Sequence, residues 1–322
     1  MKISLLLVCA IAACGGAPIE VTLDAPARGF QLASDSFEVK SGTETQRCFF
    51  FAVPGTGSDP VYINRIVATQ NPGSHHLNIF RVKSIVKLDG QPGDEVIDGE
   101  CFNSKAGNWA DWPLVTNLQN STPGNNLNDW TLPEGVAHKF MPGEKLMMQI
   151  HYVNATTQKT PGKGKGLVNF YQVDASSVTK GELGTVFATN QSIRVCPGDS
   201  DRMYEASCTF ARAPVTIIGA NGHFHSRGSK FEIAPYDRST DAVGDVFYTS
   251  TTWDDPPLLQ KLNIEIPQNG GIDWRCHYTM AATDCGDKSD RCCATFGGKV
   301  ETQEHCNAFV YYYPKQQDAN CF

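Results

Sequence analysis

The sequence predicts an all-β chain folded as two sandwich domains in tandem, and three observations carry that prediction. Glycine and proline are frequent, at 29 and 18 residues, and punctuate the chain into segments of strand length. Between them, apolar residues alternate or run in short blocks, and long stretches with helical period are hard to find. Many short strands joined by irregular links favour sheet-on-sheet packing over α/β layers.

Taken in order, the chain opens with Met1-Lys2 and an apolar stretch from Ile3 to Ala13, and stops at Cys14 ahead of Gly15-Gly16. A charged start, a short apolar core and small residues before a cut describe a secretory signal, too short to span a bilayer. Ile11-Ala12-Ala13-Cys14 also has the form of a bacterial lipobox, in which Cys14 becomes the lipidated first residue. Residues 1–13 are therefore expected to be a lipoprotein-type signal and 14–27 a tether. That places an exported protein at the bacterial cell envelope, held to the membrane by its lipid. Strand-like segments follow at Val61–Val67, Leu146–Val153 and Gly166–Val173, then at Val215–Ile218, Lys230–Ile233, Lys261–Ile266 and Ala308–Tyr313. Asn120–Asn128 and Thr156–Gly166 read as polar loops. The polar stretch Ala175-Ser176-Ser177 marks the expected boundary between a domain of residues 28–174 and one of residues 175–322.

A net charge of −7 without a basic stripe argues against a nucleic-acid partner. Beyond Cys9 and Cys14, cysteines stand at 48, 101, 196, 208, 276, 285, 292, 293, 306 and 321. An even, scattered set in an exported chain reads as disulfides. The adjacent Cys292-Cys293 pair could bind a soft metal, but separate disulfides are the favoured reading, and their partners stay open.

Six of the eight histidines fall into two sets of three: His75, His76 and His151 before the boundary, His223, His225 and His305 after it. Three neutral imidazoles can hold copper or zinc and leave a coordination position open. In His223-Phe224-His225, residues two apart on a strand share a face, so both rings can reach one ion while Phe224 packs the other way. His75 and His76 are neighbours, so sharing an ion requires a bend, which Pro72-Gly73-Ser74 can supply. His151 lies in an apolar run and, taken singly, reads as a hydrogen-bonded core residue. His305 must arrive from a separate strand. His138 reads as structural, and His277 as hydrogen-bonded beside Cys276. Met203 and Met280 carry thioethers suited to Cu(I), although no spacing ties either to a site. The chain has no Gly-x-Ser-x-Gly, no His-Glu-x-x-His, no phosphate-binding glycine loop and no dinucleotide fingerprint.

In order along the chain stand His75-His76-Leu77, Leu132-Pro133-Glu134-Gly135-Val136, Met148-Gln149-Ile150-His151-Tyr152, Gly222-His223-Phe224-His225 and Glu304-His305-Cys306-Asn307. This series resembles the copper type II, ascorbate-dependent monooxygenases, the family of peptidylglycine α-hydroxylating monooxygenase and dopamine β-monooxygenase, from about Cys48 to Cys321. The resemblance implies two jelly-roll β-sandwich domains, each holding one copper, facing each other across a solvent-filled cleft. By it, His75, His76 and His151 hold the electron-supplying copper. His223 and His225, with His305 in the third position, hold the copper that takes up dioxygen and substrate. It also implies disulfides Cys48–Cys101, Cys276–Cys306 and Cys208–Cys321.

The chain departs from the family at three places. Where the family has a methionine before the cysteine stands His305, an imidazole that favours Cu(II) where a thioether favours Cu(I). Where the peptide enzyme grips a substrate carboxylate with an arginine and a tyrosine stand Asn221 and Phe309; only Asn307 matches. An uncharged or aromatic small molecule therefore fits better than a peptide ending in glycine. The expected activity is hydroxylation of a C–H bond of a small organic substrate by O₂ and a one-electron reductant such as ascorbate, with two copper ions per chain. Two alternatives stay open: a non-catalytic copper-binding or copper-delivery lipoprotein on the same scaffold, and a zinc hydrolase using one three-histidine site.

Overall fold

The computed structural model describes residues 20–82, 93, 95–97, 112–119, 124–155, 161–282 and 292–322. The signal, Cys14 and most of the tether lie outside them. Within them the chain is all-β, its helical content a single 3-10 turn at Ala175–Ser177. No helix among the described residues is long and apolar enough to cross a membrane.

In the first half, a six-stranded sheet, whose edge strand Gly181–Glu182 comes from the second half, is centred on Val61–Gln70 and Gly166–Val173. It packs against a five-stranded sheet in which Lys145–Asn154 lies between Thr43–Ala52 and Ser74–Arg81. Phe30, Ile63, Ile79, Phe140, Met148 and Phe170 fill the core between them. In the second half, one five-stranded sheet places Asn307–Tyr313 between Val215–His223 and Gly184–Thr189. A second places Gly270–Tyr278 between Arg202–Thr209 and Gly228–Asp237. Val186, Ile217, Phe231, Ile233 and Trp274 lie in the core they enclose. Each such side chain contributes about 1.5–3 kcal/mol by leaving water.

The strands are the segments the sequence marks, extended by pairing. Val61–Gln70 and Val215–His223, for example, run past their apolar runs into polar residues that neighbouring strands hydrogen-bond. The same cause corrects the two polar loops. Leu127–Thr131 pairs with Val61–Gln70, and Gly162–Gly164 pairs with Phe37–Val39, so each segment contains strand residues that carry no apolar pattern.

Strand pairing among the described residues stays within one half except at Gly181–Glu182, which pairs in parallel with Val136–Phe140. Gly135, in the Leu132–Val136 motif, sits at this crossing with φ +86, and a Cβ there would lie 2.6 Å from Thr179 Oγ1. Only glycine suits both the dihedral and the approach. Beyond it the halves meet in an apolar seam: Phe50, Phe80, Trp130 and Leu132 from the first, Leu183, Phe187, Ile218, Phe309 and Tyr311 from the second. Trp130 and Tyr311 meet edge to face at 4.7 Å. This corrects the solvent-filled cleft that the resemblance implies. Aromatic surface of this size gains more from mutual contact than from hydration.

Disulfides join Cys276 to Cys306 and Cys208 to Cys321, the two pairs implied within the second half, and a third joins Cys196 to Cys293. Cys48 and Cys292 are also disulfide-bonded. Cys101 lies outside the described residues, and with it the Cys48–Cys101 pairing.

Candidate metal centre

The bend that His75 and His76 require is a β-bulge. Ser74–Arg81 pairs with Lys145–Asn154 in register as far as His76 opposite His151; the register then jumps to Ser74 opposite Tyr152, leaving His75 as the extra residue. The two neighbouring rings consequently lie 5.1 Å apart. Gly73 makes the bulge possible, with φ +94 and a position where a Cβ would come within 2.5 Å of the Tyr152 hydroxyl. His151, directly across the ladder from His76, has its ring 5.2 Å from both. Its Nε2 lies 3.1 Å from Glu44 Oε2, which also accepts the Val300 N–H at 3.1 Å. Burial pushes the Glu44 carboxyl up, but the bond and charge of His151 outweigh it and hold the group below its usual range.

His223 ends the strand Val215–His223, opposite Asn307. His225 lies beyond the strand, where the chain turns through Ser226-Arg227 into Gly228–Asp237, so the pair shares a side across a strand end. Phe224 packs the other way, stacked on Phe231 at 6.0 Å. Glu304 Oε2 and Oε1 accept the N–H groups of His225 and Arg227, both at 3.0 Å, and shape that turn. His305 stands in the two-residue link between Gln303–Glu304 and Asn307–Tyr313 rather than on a strand. The Cys276–Cys306 disulfide anchors the link, and the Tyr278 hydroxyl donates to the His305 carbonyl.

The six histidines form one contiguous cluster across the seam, none more than 5% exposed. His223 is 4.9 Å, ring to ring, from both His75 and His76; His75 to His225 is 5.3 Å, and His225 to His305 is 4.4 Å. Two groups bring candidate ligand atoms within 4.8 Å of one another: His75, His76 and His223, and His223, His225 and His305. His151 is in neither. The expectation of one triad enclosed in each sandwich is thus replaced by adjacent sets, because the apolar seam holds the histidine-bearing strand ends together.

Burial and the charges of neighbouring imidazoles hold His75, His76, His223 and His305 well below the ordinary imidazole range. Burial pushes His225 down to about 3. The rings are therefore neutral at pH 7, the state in which imidazole binds metal. His75 Nε2, His76 Nδ1, His151 Nδ1 and His225 Nε2 are buried with no hydrogen-bond partner among the described residues. Buried polar atoms left unpaired are costly, and four such ring nitrogens in one cluster fit a bound transition metal. The opposite nitrogens have fixed partners: His223 Nδ1 to Gln119 Oε1 at 2.7 Å, and His225 Nδ1 to the Gln303 carbonyl at 3.0 Å. Such partners set each ring's orientation.

A small cavity opens on the cluster. His76, His223 and His305 line it together with Phe80, Phe187 and Phe309, while Asn78, Gln149 and Asn307 supply amides. Phe187 and Phe309 stack at 5.3 Å. Of the three residues read as a substrate pocket, Asn307 and Phe309 line this cavity. Asn221 does not; it is buried, donating to Asn117 Oδ1 in an amide chain that continues through Asn78 to Gln149. Asn78, Asn117, Gln119, Gln149, Glu44 and Glu304 escape the sequence reading. Their signal is an amide or carboxylate set in an apolar run, as in Leu77-Asn78-Ile79 and Met148-Gln149-Ile150. His138 is buried beside Phe140, and His277 pairs with Asp201 at 2.7 Å. Met280 is buried in the second core and Met203 is exposed.

Fold and site together define an all-β protein with a buried polyimidazole centre beside an apolar cavity. Residues 180–322 match the family model of the copper type II ascorbate-dependent monooxygenase, C-terminal domain. No curated protein matches the chain. Among solved structures, the PBSX exported protein XepA is similar at 5% identity, covering 90% of this chain and 89% of that chain, with a TM-score of 0.25. The CBM22 tandem domain from Paenibacillus barcinonensis Xyn10C is similar at 10% identity, covering 88% and 83%, with a TM-score of 0.24. The STIV MCP reaches a TM-score of 0.31 at 10% identity, covering 88% and 96%. Likeness at that level carries no argument about this chain.

Proposed function

We propose that the chain is a copper-dependent monooxygenase that hydroxylates a C–H bond of a small organic substrate, using O₂ and a one-electron reductant such as ascorbate. The observation that carries this reading is the set of buried, unpartnered ring nitrogens at the seam, in a chain whose second half matches a copper monooxygenase family model. Two copper ions are the expected complement, and when bound they supply one-electron redox chemistry and O₂ activation. The protein supplies the rest. Burial keeps the imidazoles neutral, and Gln119, the Gln303 carbonyl and Glu44 aim the rings. Phe80, Phe187 and Phe309 exclude water and accept an apolar body, while the Asn307 amide orients a polar group. With no charged side chain among the described residues that line the cavity, an uncharged substrate suits it. The signal-like opening and Cys14 support export and lipid anchoring at the cell envelope.

The expected result is substrate-dependent O₂ uptake with a hydroxylated product, in copper-loaded protein with ascorbate and a panel of neutral aromatic compounds. Both should vanish in His75→Ala and in His223→Ala. Copper-loaded, reduced protein that consumes no O₂ with any member of the panel contradicts the reading.

His305 supports a second reading, a copper-binding or copper-delivery protein, because an imidazole replaces the family's thioether. His305→Met separates the two: a gain of oxygen-dependent hydroxylation marks an enzyme scaffold, and equal copper occupancy without chemistry in either form marks a carrier. The zinc hydrolase has less support. Among the described residues, the carboxylates bonded around the cluster, Glu44 and Glu304, are already engaged by backbone N–H groups.

A further inference from the structure

Glu44 stands on Thr43–Ala52 opposite Val153, so His151, opposite Gln46, is its diagonal neighbour on the same face of the ladder. A long side chain spans that diagonal, and Glu44 Oε2 lies 3.1 Å from His151 Nε2. A carboxylate only accepts, so the bond places the ring proton on Nε2 and leaves the lone pair on Nδ1. That Nδ1 is buried with no hydrogen-bond partner among the described residues, in a ring 5.2 Å from those of His75 and His76. The same Oε2 accepts a second donor, the Val300 N–H at 3.1 Å, from the other side of the seam. Gln46, two residues along on the same face, donates from Nε2 to the Gly298 carbonyl at 3.3 Å. Gly298 and Val300 lie in the turn between Ala294–Phe296 and Gln303–Glu304, which the Gln303 N–H closes on the Lys299 carbonyl at 2.8 Å. At the end of that turn the Gln303 carbonyl accepts from His225 Nδ1 at 3.0 Å, and His305 follows two residues on.

We propose that Glu44 is a positioning residue common to both copper sets. One carboxylate oxygen fixes the tautomer of His151 for the first ion, held with His75 and His76, and docks the turn that orients His225 and His305 for the second. The proposal rests on the copper reading of the cluster. Its two actions differ in kind. Toward His151 the charge matters: a carboxylate behind a ligating imidazole makes the ring a stronger donor, which favours Cu(II) over Cu(I) at the first ion. Toward Val300 only an acceptor is needed, and a neutral amide oxygen serves as well.

The test is a Cu(II) titration of the full chain against a chromophoric competitor, with spin-resonance spectra and reduction potentials, for the wild type, Glu44→Gln and Glu44→Ala. The two ions are assigned by the signals lost in His75→Ala and in His223→Ala. Glu44→Gln keeps an acceptor for Val300 and removes the charge. It should weaken the first ion by about tenfold or more, raise its potential and alter its spectrum, and leave the second ion unchanged. Glu44→Ala removes both contacts and should weaken both ions by about tenfold or more. In a His151→Ala background, where the first set is already broken, Glu44→Ala should still weaken the second ion. Should Glu44→Ala fail to fold, the potential and spectrum of Glu44→Gln decide. A first-ion potential unmoved by Glu44→Gln, a second ion untouched by Glu44→Ala, or equal losses at both ions in both variants overturns the proposal and leaves the metal centre standing. A wild type that binds no Cu(II) overturns the copper reading, and the proposal with it.

Discussion

Buried imidazoles make the protein's stability depend on pH in a definite sense. His75, His76, His138, His223, His225 and His305 all sit below the ordinary imidazole value of 6.5, chiefly through burial. The unfolded chain therefore takes up protons first as pH falls through 6.5, and the stability these groups contribute, full above that pH, declines toward their folded values. Glu304 runs the other way. Burial raises it from 4.5 to about 7, so its contribution is full below the lower value and lost as pH rises through the upper. Six groups outweigh one. The urea midpoint of metal-free protein should fall steadily from pH 7 to pH 5, and a flat or rising midpoint contradicts neutral histidines. The amide chain adds a second test at this scale. Asn221→Ala leaves Asn117 Oδ1 buried and unpaired, and should cost about 1–3 kcal/mol in chemical denaturation.

Strands were legible where apolar residues alternate, and less so where backbone pairing alone makes them. Lys261–Ile266 shows its alternation in the sequence and alternates between exposed and partly buried positions in the sheet, ending on buried Ile266. Gly162–Gly164 has no pattern to read; it is a strand because Phe37–Val39 hydrogen-bonds to it. The bulge at His75 lies between these cases. Pro72-Gly73-Ser74 announces an irregularity, but only the jump in register shows that it turns two adjacent histidines to one side. Gly73→Ala puts a side chain at φ +94 against the Tyr152 hydroxyl. It should cost about 1–2 kcal/mol from the left-handed backbone alone. It should also weaken Cu(I) binding by His75 and His76, and unchanged affinity would show that the bulge does not aim His75.

At the scale of the molecule, what the sequence could not show is proximity. It separates His75, His76 and His151 from His223, His225 and His305 by more than seventy residues. Nothing in their spacing says that the two sets touch. The contact comes from Phe80, Phe187, Phe309, Trp130 and Tyr311, residues that in sequence look like ordinary core of their own halves. Interfaces between domains of one chain are usually polar enough to allow relative motion; an aromatic seam argues for joint unfolding. Calorimetry should therefore show one transition. Phe187→Ala, at the centre of the seam, should cost about 3–5 kcal/mol and split that transition in two. A wild type that already unfolds in two steps contradicts the seam.

Metal content tests the central claim most directly. Protein expressed with copper and zinc both present, and purified without added metal, should carry copper with a nitrogen-rich Cu(II) spin-resonance signal. His75→Ala combined with His223→Ala should abolish it while the fold remains. One equivalent of zinc without copper, or copper retained by that double variant, would show that the seam histidines are not a copper centre.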